Sequence, residues 1–225
     1  AARPHALASV TEHTQAGDRL SSFEYDAEGS TTKRTVVGRE QDLTWDAEGH
    51  LATSTADGAT TSFVYTADGE WMLRREPGAT TLYLPGMELR LSTATGQVDG
   101  TRFQPVAGMA TAVRTAAGVQ FQVADHHGTG QAGIDSATGD LVYRRSTPFG
   151  TPRGAQPDTG AWKGEKGFVG GTLDASTGLT HLGAREYDPA TGRFMSVDPV
   201  LDVTDPQQMN AYGYANNSPV SFADP

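Results

Sequence analysis

Cysteine is absent from the 225 residues, which excludes disulfide staples and thiolate metal sites. Aromatic residues reach only 8% and hydrophobic residues 36%, low for a compact enzyme. No apolar run approaches the length that spans a bilayer as a helix. Positive charge is in deficit. Lys and Arg number 17 against 27 Asp and Glu, a formal net charge of -10, which argues against a nucleic-acid backbone as partner of this stretch. Long amphipathic helices are also missing, and only residues 206–211 have a modest helical character. The amino-terminal Ala1-Ala-Arg-Pro-His lacks the apolar core of a signal peptide. It reads as the start of a piece cut from a longer chain, with any export signal lying upstream.

Turn-forming residues are abundant, with 27 glycines and 12 prolines. One pattern stands in three copies, Phe23-Glu-Tyr-Asp-Ala-Glu-Gly29, Leu43-Thr-Trp-Asp-Ala-Glu-Gly49 and Phe63-Val-Tyr-Thr-Ala-Asp-Gly69. Glycines recur at 29, 49 and 69 and aromatics at 25, 45 and 65, a self-similarity that marks stacked repeats. Each unit reads as a β-hairpin. Alternating residues lead into an aromatic, a turn follows in which glycine can take a positive φ, and a strand rich in Thr, Val and Arg returns. Asp at the turn start can accept backbone amides two residues on. The aromatic supplies the contact between successive units, because a lone hairpin cannot bury its own face. Related turns stand at Ser92-Thr-Ala-Thr-Gly96, Asp135-Ser-Ala-Thr-Gly139, Asp174-Ala-Ser-Thr-Gly178 and Asp188-Pro-Ala-Thr-Gly192. Residues 111–123 form a further hairpin that turns at Ala116-Ala-Gly118. Residues 147–166, rich in Gly, Pro and polar side chains, predict a loop or boundary. The expected fold is all-β, with a repeat segment over residues 1–150 and a distinct segment over 151–225.

The carboxy-terminal stretch carries the most specific motifs. Arg185-Glu-Tyr-Asp-Pro-Ala-Thr-Gly-Arg-Phe-Met-Ser-Val-Asp-Pro199 is followed by Asn210-Ala-Tyr-Gly-Tyr-Ala-Asn-Asn-Ser-Pro219 and Ala223-Asp-Pro225. In this order the motifs resemble the core signature of the Rhs/YD-repeat family. Thr81-Leu-Tyr-Leu-Pro-Gly86, Ala124-Asp-His-His-Gly-Thr129, Thr147-Pro-Phe-Gly150 and the run from Phe168 to Arg185 are similar to its linking motifs. The family includes bacterial polymorphic toxins, C components of insecticidal toxin complexes and wall-associated repeat proteins. The resemblance implies a β-ribbon of stacked YD hairpins that spirals into a hollow shell, closed by a carboxy-terminal core plug. Spiral closure removes edges that invite aggregation. At this length the chain is expected to form the last turns of a shell plus its plug. Its first hairpins would lack stacking neighbours, so a frayed amino-terminal edge is expected.

By resemblance, the expected function is an encapsulating shell end and autoprocessing module of a polymorphic toxin. It would sequester a downstream toxin and release it by intramolecular aspartyl-type self-cleavage, with no turnover on other substrates. The family continues past the terminal Asp-Pro into Gly-Leu, which does not follow Asp224-Pro225 in this sequence. Carried over by motif, the catalytic candidates are Asp198 and Asp224, with Arg185 orienting a carboxylate or stabilising developing charge. Two carboxylates sharing a site cannot both ionise easily, which divides acid from base. The expected partners are the chain's own carboxy-terminal toxin domain and the remaining shell or delivery proteins. No nucleic acid and no membrane span are expected. The expected localisation is secreted, cell-surface, or delivered by a bacterial secretion system. Two other readings are a structural or adhesive YD-repeat scaffold without proteolysis and a carbohydrate-binding β-repeat module.

Simpler roles account for other chemically suggestive residues. Asp188 opens an ordinary turn, which is explanation enough. His126 and His127 are neighbours that diverge if they lie on a strand, and no further ligands accompany them, so neither metal nor cofactor is expected. Ser30, Ser146 and Ser196 lack a nucleophile elbow. The repeat aromatics read as core rather than sugar platforms. Tyr212, Tyr214, Asn216 and Asn217 are expected to knit the plug, the amides by satisfying backbone groups.

Overall fold

A computed structural model describes residues 5–36, 38–108, 110–200 and 209–222. Fourteen strands form one antiparallel sheet in strict sequence order. They are β1 (Ser9–Thr14), β2 (Gly17–Tyr25), β3 (Thr31–Val36), β4 (Arg39–Trp45), β5 (Leu51–Ala56), β6 (Ala59–Tyr65), β7 (Trp71–Glu76) and β8 (Ala79–Leu84). The sheet continues through β9 (Met87–Ser92), β10 (Val98–Pro105), β11 (Ala110–Thr115), β12 (Gly118–Ala124), β13 (Gly130–Asp135) and β14 (Leu141–Tyr143). A second, four-stranded sheet contains β15 (Thr172–Asp174), β16 (Leu179–Leu182), β17 (Arg185–Asp188) and β18 (Arg193–Phe194). The fold is all-β, as the repeat pattern predicts. Of the modest helix at residues 206–211, positions 206–208 lie outside the described residues and 209–211 form turn and bend.

The expected turns recur with nearly one geometry. In the first repeat the Asp26 amide donates to the Ser30 carbonyl at 3.0 Å, and Asp26 Oδ1 accepts the amides of Gly29 and Ser30 at 2.9 and 2.8 Å. Asp46 and Asp125 each accept two amides as well, from the residues two and four positions on. Gly29, Gly49 and Gly69 take φ of 98°, 85° and 81°, the left-handed region open to glycine. A register shift precedes each signature aromatic, between Glu24 and Tyr25, Thr44 and Trp45, and Val64 and Tyr65. That bulge turns the aromatic out of simple alternation. The Trp45 indole then donates to the Thr31 carbonyl at 2.7 Å, and the Tyr65 hydroxyl to the Leu51 carbonyl at 2.9 Å. Each of these two aromatics thus bonds the first residue of the returning strand of the preceding repeat. At the opposite hairpin ends sit tight turns such as Asp57-Gly58, both residues at positive φ, in the loop closed by Ala56 and Ala59. This Asp-Gly pair is a type I′ turn matched to strand twist.

Residues 144–167 carry no strand of either sheet, yet they lie against the main sheet. Gln120 and Gln122 donate to the carbonyls of Ala161 and Lys163 at 2.8 and 2.6 Å, and Trp162 is buried. The principal core joins Leu43, Leu51, Phe63 and Trp71 of the repeats to Leu179 and Met195, so residues on either side of position 150 share it. A second cluster gathers Tyr187, Phe194, Tyr214 and Ala215, with Phe149 and Phe168 packed on it. The amino-terminal strand β1 is nearly all exposed.

Candidate functional site

The site grows from β17. Arg185 begins this strand, and its Nη2 lies 2.9 Å from Asp198 Oδ2. The Arg185 guanidinium also stacks 3.7 Å over the Phe194 ring, a cation–π contact that fixes its plane. Asp198 is placed by backbone pairing. Its amide donates to the Ala211 carbonyl at 2.9 Å, and the Phe194 amide donates to the Tyr212 carbonyl at 3.0 Å. Asp198 Oδ1 accepts the Val200 amide at 2.8 Å. The ion pair is half-buried and lines a cavity of about 640 Å³ with Leu182, Tyr214 and Phe222. Two of the three expected residues therefore come together. Asp224 lies outside the described residues.

The site is held by polar contacts that repeat reasoning did not single out. Arg34 Nη1 lies 3.0 Å from Asp188 Oδ2, with both side chains at 5% exposure or less. Arg34 also donates to Gln41 Oε1 and the Thr177 carbonyl at 2.6 and 3.0 Å. Burial pulls the Arg34 guanidinium below its ordinary value, and Asp188 opposes that pull. Asp188 accepts the Ala190 amide at 2.9 Å, so its turn role stands together with a buried ion pair. Forty residues on in the repeat, Arg74 faces Glu165 at 2.9 Å, Glu76 at 3.4 Å and Asp174 at 3.6 Å. Between the arginine contacts, Glu186 Oε1 meets His181 Nδ1 at 2.9 Å and accepts the Trp71 indole at 3.2 Å and the Tyr65 hydroxyl at 3.3 Å. The available signal was the shared phase of Arg34 and Arg74 in the repeat, opposite two Asp-x-x-Thr-Gly turns.

The other expectations fall as follows. Tyr212 donates to the Gly29 carbonyl at 2.7 Å, and Tyr214 is buried. Asn216 and Asn217 take φ of 52° and 57°. Their visible contribution is backbone conformation, which Asn tolerates better than most residues. His126 and His127 do not diverge along a strand. They occupy the turn between β12 and β13, with ring centroids 3.9 Å apart. Among the described residues no group of three or more His, Asp or Glu is placed to hold a metal. No helix there is long and apolar enough to cross a membrane.

A family model described as the teneurin YD-shell matches residues 109–220. A chain from the crystal structure of TcdB2-TccC3 superposes with a TM-score of 0.73 at 20% identity, covering 98% of this chain and 13% of that one. The chain belongs to the Rhs/YD-repeat family. It is a stretch of YD shell of the kind found in toxin-related proteins. A chain of the Photorhabdus luminescens Tc holotoxin pore matches with a TM-score of 0.69 at 21% identity, covering 92% of this chain and 13% of that one. The tRNA3(Ser)-specific nuclease WapA of Bacillus spizizenii is 33% identical over 100 residues, 44% of this chain and 4% of the relative. Salivary gland surface protein 1 of Aedes aegypti is 45% identical over 58 residues, 26% of this chain and 2% of the relative. This YD-repeat chain therefore spans only a small part of the proteins it matches.

Proposed function

We propose that this segment closes a shell around a downstream toxin polypeptide and frees that polypeptide by intramolecular aspartyl-type cleavage just beyond Asp224-Pro225. The observation that carries the reading is the Arg185–Asp198 pair, 2.9 Å apart on the wall of a cavity of about 640 Å³. Peptide hydrolysis by two carboxylates needs one to activate a water and the other to give a proton to the scissile carbonyl oxygen. Asp198 supplies one carboxylate and Asp224 the other. Arg185, fixed over Phe194, orients Asp198 and offers positive charge to the oxygen that gains negative charge.

The shell and plug serve this chemistry by rigidity. Thr31 donates both its hydroxyl and its amide to the Met195 carbonyl at 2.8 Å, three residues before Asp198. A confined toxin cannot fold and act, and cutting the chain severs the link without opening the shell. In this reading the partners are the enclosed toxin, the rest of the shell and delivery proteins, and the protein is exported or injected. The test compares full-length wild-type protein with Asp198→Asn and Asp224→Asn variants by intact mass. Two fragments in wild type and one uncut chain in each variant are expected. Cleavage that survives both substitutions assigns the cut to another site, and an uncut wild type leaves a scaffold.

A further inference from the structure

A second cavity, about 600 Å³, opens between residues 66–130 and 166–172; it shares Glu70, Lys166, Thr172 and His181 with the wall of the first cavity but includes neither Arg185 nor Asp198. Trp71, Tyr83 and Phe103 supply aromatic walls, while Asp68, Glu70 and Glu88 supply carboxylates. Tyr83 and Glu88 are direct cross-strand partners on β8 and β9. Glu88 is only 8% exposed, and its Oε1 has no hydrogen-bond partner among the described residues. The Tyr83 hydroxyl and Glu165 Oε2 are likewise buried and unpartnered. Buried oxygens left without donors are costly and require an explanation in a native fold.

The nearby cations do not meet that need. Lys166 Nζ donates to Thr172 Oγ1 at 2.7 Å. Arg74 is turned toward Glu165, Glu76 and Asp174. The unmet oxygens on the cavity wall belong to two different residues, Tyr83 and Glu88, rather than to one carboxylate fork. A compact ammonium with three radial donors suits them better than a planar guanidinium. Aromatic walls accept both an aliphatic stem and a cationic head. We propose that this cavity is a binding site for an alkylammonium group, with Glu88 as counter-charge and Tyr83 Oη as a second acceptor. Burial pushes the Glu88 carboxyl up to about 7, Glu165 adds to the push, and Lys166 and Arg74 oppose it. An empty site can therefore hold the proton that an incoming cation displaces. Under the function proposed above, on which this choice of source rests, the ammonium is a lysine side chain of the enclosed polypeptide. A free alkylamine offers the same chemistry.

The test is carbodiimide coupling of the full-length protein in increasing n-butylamine, with modified residues located by peptide mass mapping. Saturable amide formation at Glu88, against a linear rise at exposed Glu40, identifies an open site. A Glu88 link to a lysine of the enclosed polypeptide identifies an internally filled one. Either product should fall at least tenfold when Tyr83→Phe removes the second acceptor, and Glu88→Gln should abolish it. Overturning results are an unmodified Glu88, a rise at Glu88 as linear as at Glu40, or a link to Lys166 alone. None of these depends on self-cleavage, so failure here leaves the proposed processing untouched.

Discussion

Asp135, Asp174 and Asp188 each open an Asp-x-x-Thr-Gly turn, yet only the last two are buried against an arginine of the repeats. A buried pair offsets its desolvation only while both partners remain. Arg34→Ala should therefore lower unfolding stability by about 3–5 kcal/mol, because Asp188 is left charged and buried. Arg34→Met with Asp188→Leu should recover most of that loss, which urea midpoints will show. A single-variant loss below about 1 kcal/mol contradicts the pair's role in holding β17. Glu88 gives the opposite kind of linkage. Its folded value of about 7 lies above the ordinary 4.5, so between those values the folded state binds more protons than the unfolded one. Stability should fall as pH rises from 4.5 through about 7, by at most about 3 kcal/mol from this group. The charged groups acting on it are Glu165, Lys166 and Arg74, and Tyr83 faces it across β8 and β9. Glu88→Gln should be more stable than wild type at pH 8, with the difference vanishing near pH 4.5. Thermal midpoints at the two pH values check this, and an unchanged difference contradicts it.

Hairpins were the most legible elements, because a glycine at positive φ and an Asp that caps its own turn are local requirements. Equivalent glycines nonetheless do different work. A Cβ on Gly49 would meet no atom within 4 Å, whereas one on Gly69 would lie 2.7 Å from Ala184 Cβ. Both positions have positive φ, so both alanine variants carry backbone strain. Only Gly69→Ala also pushes on the residue before Arg185. It should lose about 1–3 kcal/mol more than Gly49→Ala in matched denaturation curves. Equal losses would mean that the repeat turn does not bear on β17. The bulges before Tyr25, Trp45 and Tyr65 were less legible, since alternation alone places each aromatic as an ordinary core residue. Their hydrogen bonds to the preceding repeat depend on which carbonyl the stacked neighbour leaves within reach. Asp188 shows the same limit at the site. Its turn could be read locally, but its burial against Arg34 is a contact between residues 154 positions apart.

At the scale of the whole chain, the fourteen-stranded sheet and the four-stranded plug share one hydrophobic core. The repeats of the first hundred residues hold the segment from Asp174 to Met195 through Thr31, Arg34, Tyr65, Trp71 and Arg74. Periodicity could announce the sheet, and the ordered carboxy-terminal motifs could announce the plug. Neither could announce the docking between them, which is a matter of side chains far apart in sequence. Phe23, Phe63 and Trp71 of the repeats turn inward, with Trp71 at 4% exposure, and do not form the exposed platform that a carbohydrate module needs. The central claim is that this rigid unit cuts the chain that leaves it. Its most direct test is to map the amino terminus of any fragment released by the freshly purified full-length protein. The account predicts one new terminus, just downstream of Asp224-Pro225, formed at a rate independent of protein concentration. A terminus elsewhere, or a rate that rises with protein concentration, contradicts it.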